Sequence, residues 1–183
     1  MKAFWLKLTD PRLKAVLNAA GRSGAALGDL TAAPAGAAAF FKPLHAALAN
    51  AAASGAPAPA SSAALAAAED FTRRLEKTFS DMALLGVQPN APVKEALIYL
   101  EKACGLAPAL LSRLRRERAL KEALGLSSGG RKALSLARDA ASRPASGPQP
   151  GGFAQNLKFS SIYSGLDSVF DAFERLAEAL VGI

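Results

Sequence analysis

The C-terminal stretch KFSSIYSGLDSVFDAFERLAEALVGI (158–183) sets its large apolar residues at Phe159, Ile162, Leu166, Val169, Phe173, Leu176 and Leu180. The steps alternate three and four, which brings all seven side chains to one side of an α-helix. Nothing else in the chain constrains the fold as strongly, because such a stripe has to be covered by other helices. Phe170 and Ala177 widen it, and Phe153 and Leu157 precede it. A wide stripe fits burial in a helical bundle better than a narrow two-stranded seam. Burying five such side chains is worth on the order of 10 kcal/mol of gross transfer energy, too much to leave in water. Ser164 and Asp167 form a capping-box pattern, so the main helix is expected to start at Gly165 after a separate turn at 159–162.

The rest of the chain agrees with helices. It holds 43 Ala and 27 Leu against only 8 Val and Ile together, a balance that favours helix over strand. No segment alternates β-branched and polar residues as a half-buried strand would. The fold expected is all-α: a bundle of about six or seven helices with two Pro/Gly-rich connectors, in one domain spanning 1–183. The connectors are the linker-like segments SGAPAPASS (54–62) and RPASGPQPGG (143–152). The second would deliver the C-terminal helix to the core of its own chain, or to a second chain by a domain swap.

Punctuation places the other helices. Asp10 and Pro11 start one that Gly21 is expected to stop, and 21–36 reads as a small-residue connector. A short helix follows with Phe40, Phe41, Leu44 and Leu48, started or kinked by Pro43. The next carries Leu65, Ala68, Phe71, Leu75, Phe79 and Met82 on one face and stops at Gly86. Another begins after Asn90, with Pro92 in its first turn, and ends at Gly105. A helix over 106–124 should stop at Gly125, with a flexible turn at SSGGRK (127–132) and a short helix capped near Ser128.

The net charge of +7 is concentrated. Residues 113–143 carry nine basic and three acidic groups, whereas 144–183 carry two basic and four acidic. Arg113, Arg115, Arg116, Arg118, Lys121, Arg131 and Lys132 either meet an anionic partner or form a solvated face neutralised by acids of the same chain. The block has no interleaved aromatics for base stacking and no nucleic-acid-reading motif, which argues against specific nucleic-acid binding. Phe4, Trp5 and Leu8 form a second candidate contact patch before the first cap.

Catalytic chemistry has little to work with. His45 is the only histidine and Cys104 the only cysteine, so an internal disulfide and a Cys/His zinc site are excluded within one chain. His45 reads as a packed or edge residue, and Cys104 as a small buried apolar side chain. Neighbouring Glu69 and Asp70 diverge on a helix, and Glu95 and Glu101 do not share a face. SSGGRK lacks the spacing of a phosphate-binding loop. No cofactor or metal site is expected.

The start MKAFWLKLTD breaks the apolar run of a secretory signal with Lys7. Its basic, amphipathic character also fits an organellar transit segment. A cytoplasmic or organellar interior is expected, with no transmembrane span. The function expected is a non-enzymatic scaffold, adaptor or accessory subunit. Its partners would be other protein subunits, with an acidic protein or membrane headgroups meeting the basic region. The alternative is a carrier of a lipid or other small apolar ligand in a cavity lined by Phe40, Phe41, Phe71 and Phe79.

Overall fold

Asp10 opens the first helix as its sequence requires: its Oδ1 accepts the Arg12 N–H at 2.8 Å, with Pro11 in the first position. The computed structural model describes residues 10–54, 59–142 and 152–183, and the side chains of all but 141, 142, 152 and 153 of these. Among the described residues there are seven α-helices, one 3₁₀ turn and no strand. The helices are α1 (Pro11–Ala32), α2 (Ala37–Ala53), α3 (Pro59–Leu85), α4 (Ala91–Gly105), α5 (Ala107–Leu110), α6 (Arg116–Ser142) and α7 (Gly152–Val181), with the 3₁₀ turn Pro34–Gly36 between α1 and α2. The expected all-α bundle is what the chain forms.

The long helices close a cycle of neighbours. α1 packs on α3 and α4, α3 on α7, α7 on α6, and α6 back on α4, while α2 lies against α1 and α3. The apolar faces of all of them meet in one core. Phe41, Phe71, Phe79, Phe170 and Phe173 are its largest fully buried side chains.

Several helix ends follow from local chemistry. Gly86 stops α3 at φ +61°, a conformation glycine adopts without a Cβ penalty. Its N–H donates to the Ala83 carbonyl at 3.2 Å, and that of Val87 to the Met82 carbonyl at 3.0 Å, the paired bonds of a Schellman stop. Asn90 caps α4 through the Val93 N–H at 3.2 Å and donates its amide to Tyr163 Oη on α7 at 2.7 Å. Two cations close helix ends from a distance. Arg12, buried, donates to the Ala51, Ala52 and Ser54 carbonyls at the end of α2. Lys158 Nζ donates to the Leu85 carbonyl at the end of α3, at 2.8 Å. Both satisfy carbonyls that have no partner within the helix.

Other boundaries correct the sequence reading. α1 does not stop at Gly21 but continues to Ala32 through Gly24 and Gly28. Pro43 lies inside α2 rather than at its start; it is exposed, as is Ala39 four residues earlier, so the carbonyl it leaves unbonded can be met by water. Ser54 ends α2, and Pro59–Ser62 already belong to α3, so the linker-like segment is shorter than 54–62. The helix expected over 106–124 is instead the short α5, a turn, and an α6 that runs through Gly125 and SSGGRK to Ser142. α7 is continuous from Gly152, so the cap at Ser164 does not form. Its buried stripe holds six of the seven seam residues, with Phe159 half-buried; Leu157 is exposed.

One physical reason explains most of these extensions. Glycines of the expected connector, the expected turn and the expected helix start are contact points between helices, whereas Gly21 and Gly125, expected as stops, have nothing near them. A Cβ on Gly24 would lie 2.8 Å from the Cys104 Cβ, one on Gly129 2.9 Å from Tyr99, and one on Gly165 2.9 Å from the Thr78 hydroxyl. One on Gly130 would overlap the Phe170 ring. Each interior glycine costs about 1 kcal/mol of helix propensity. The close packing of α1 on α4, α4 on α6, α6 on α7 and α7 on α3 offsets that cost.

Candidate basic contact surface

The basic block divides when the chain folds. In the C-terminal half of α6, Arg131 reaches across to α7, with Nη1 2.6 Å from Asp171 and Nη2 3.0 Å from Glu174. Glu174 also accepts the hydroxyl of the buried Ser127 at 2.6 Å. Seven residues on, Arg138 pairs with Asp167. Partial burial works against the charge on Arg131, but Asp171 and Glu174 outweigh it and hold the guanidinium more firmly protonated than usual. A matching link joins α7 to α3. Asp70 accepts both Arg74 Nε, at 2.9 Å to each oxygen, and Arg175 Nη2 at 2.8 Å. Burial favours the neutral acid, but the two arginines prevail and hold the Asp70 carboxyl below its ordinary value.

The N-terminal half is different. Residues 112–115 form a turn closed by the Arg115 and Arg116 N–H groups on the Ser112 carbonyl, at 3.0 and 2.9 Å. Arg113, Leu114 and Arg115 are exposed on it, and Leu114 is 96% accessible. Arg116 turns inward, half-buried, and donates to the Val181 carbonyl at 3.5 Å. Arg118 and Lys121 are exposed on the first turns of α6. Among the described residues no carboxylate lies within salt-bridge distance of Arg113, Arg115, Arg118, Lys121 or Lys132. Lys132 stands apart, in an open cleft between α4 and α6 lined by Glu95, Tyr99, Gly129 and Leu136. Of the seven predicted cations the fold therefore groups Arg113, Arg115, Arg118 and Lys121, and uses Arg116 and Arg131 to hold α7. Phe4, Trp5 and Leu8, and the second linker from 143 to 151, lie outside the described residues.

The groups with chemical potential have structural surroundings. His45 Nε2 is 2.8 Å from Glu76 Oε2, and Nδ1 is 3.5 Å from the Thr72 hydroxyl, which itself bonds the Ala68 carbonyl at 2.9 Å. The ring thus ties α2 to α3 at an open cleft shared with Glu69 and Arg73. Cys104 is buried against α1, and burial, with Glu101 nearby, pushes its thiol up to about 12, so it stays protonated at neutral pH. No group of three metal-ligating side chains occurs among the described residues. Phe71 packs edge-on against Phe173 at 5.8 Å, and Phe40 against Phe41 at 5.0 Å, with Arg22 over the Phe40 ring. No described helix is long and apolar enough to cross a membrane.

Sequence reasoning did not single out Leu114, His45–Glu76, or the capping roles of Arg12 and Lys158. For Leu114 a signal existed: a lone leucine between arginines in RLRRER, off the stripe of α6. Long-range caps and pairs leave no such local mark. Compared with known families, curated proteins and solved structures, the chain matches none.

Proposed function

We propose that the protein is a non-enzymatic helical scaffold or adaptor, an accessory subunit of a larger assembly, that meets an anionic partner surface through the basic turn at the head of α6. The observation that carries this reading is the clustering of Arg113, Arg115, Arg118 and Lys121, all exposed and none paired, beside arginines of the same block that are paired. With Arg116 these four make five cations in nine residues, with Glu117 the one acid among them, a local positive field that raises the encounter rate with an anionic surface and is screened by salt.

Retention on an immobilised polyanion at increasing salt tests the contact. Reversing charge at Arg113, Arg115 and Arg118 should move elution to clearly lower salt, and equal elution of variant and parent refutes the basic contact. Mass in solution and co-purification from the native source test the assembly: a strict monomer that brings down no partner defeats it.

A further inference from the structure

We infer that the anionic partner is a lipid surface, and that Leu114 at the apex of the 112–115 turn enters it while Arg113, Arg115, Arg118 and Lys121 hold the phosphates. The inference rests on the proposed basic contact and names its partner. Leu114 is 96% accessible, more than any other exposed large apolar side chain among the described residues; Leu84, the next, is at 85%. A solitary leucine this exposed would need a matching pocket on a protein partner. A fluid bilayer supplies an apolar environment wherever the tip lands, and the long arginine side chains reach back to the headgroups. The turn has the right order for this, with cations on both sides of one apolar residue and two more on the next helical turns. Glu117 and Glu122 lie on the same stretch, leaving residues 113–122 with five basic against two acidic groups. The attachment would be peripheral and reversible, since one leucine and a few cations fall short of a stable anchor.

Flotation of the full chain with vesicles of phosphatidylcholine, with and without phosphatidylserine, tests the inference. Binding should require phosphatidylserine and fall with salt. Each cation removed among Arg113, Arg115 and Arg118 should weaken it about fivefold, and Leu114→Ser on the order of tenfold. Circular dichroism should show Leu114→Ser folded like the parent, since its side chain touches almost nothing. Binding that is lost with the arginines but indifferent to Leu114→Ser overturns the lipid-inserting tip and leaves the basic contact standing. So does retention on the polyanion without any vesicle binding. Failure on both surfaces removes the basic contact together with the inference.

Discussion

The two ends of the basic block, the turn that leads into α6 and the C-terminal half of that helix, are both rich in arginine and meet opposite fates. Arg131 and Arg138, one heptad apart, face Asp171, Glu174 and Asp167 on α7 and become part of the packing between the two helices. Arg113, Arg115 and Arg118 form no ion pair among the described residues. Both ends are basic, and what differs is whether a carboxylate of α7 pairs with them: Asp167, Asp171 and Glu174 meet the far end. A basic stretch is therefore a poor predictor of a binding surface until its neighbours are known. Here Arg116, Arg131 and Arg138 are consumed internally.

The sharpest way to break this comparison is to separate α6 from α7. Gly130→Val would drive a side chain into the Phe170 ring, and should lower stability by about 3 kcal/mol, read as a fall in the urea midpoint. Gly125, on the same helix with nothing within 4 Å, should respond in the other direction, with Gly125→Ala stabilising by about 0.5–1 kcal/mol. A tolerated Gly130→Val would mean that the two helices do not cross there. Arg131→Ala should cost about 1 kcal/mol or less, since it removes two ion pairs, but Asp171 is exposed and Glu174 keeps the Ser127 hydroxyl.

The α3–α7 link predicts a pH effect. The Asp70 carboxyl is held below its usual 3.8 by Arg74 and Arg175 despite burial. Its contribution is thus fully present above that ordinary value and is lost as pH falls below it, through the lowered folded value. Asp70→Asn should lower the midpoint at neutral pH and flatten its decline in acid; parallel pH curves would refute the link. At the small end, Ser substitutions at Arg113, Arg115 and Arg118 together should leave the thermal midpoint nearly unchanged, within about 0.5 kcal/mol, while removing retention on the polyanion. A large loss of stability would show that the exposed end is structural after all.

Much of the fold was legible from residue order. The spacing of Leu65, Phe71, Leu75, Phe79 and Met82, and of Ile162 through Leu180, named core residues correctly because a 3.6-residue period leaves little choice of face. Gly86 and Asn90 marked true helix ends because stop and cap are made within a few residues. Gly24, Gly129 and Gly130 misled because a glycine that breaks a helix and one that lets a neighbour approach look alike in one dimension; Gly21 and Gly125 face open space inside helices that the flanking contacts carry through. Among the candidate contact residues, Arg113, Arg115, Arg118 and Lys121 were legible as charge, but their separation from Arg131 was not.

The order of residues by itself determined that this chain is helical, which faces turn inward, and the helix ends at Asp10, Gly86 and Asn90, since these depend on propensity, periodicity and bonds within a few residues. The tertiary structure alone decided which glycines join helices, which cations close distant helix ends, which arginines are neutralised by α7 and which are left in water. Those outcomes depend on contacts between residues tens of positions apart, such as Gly130 with Phe170, Arg12 with Ser54 and Arg131 with Asp171. No local pattern encodes such a meeting; the packing of the helices creates it.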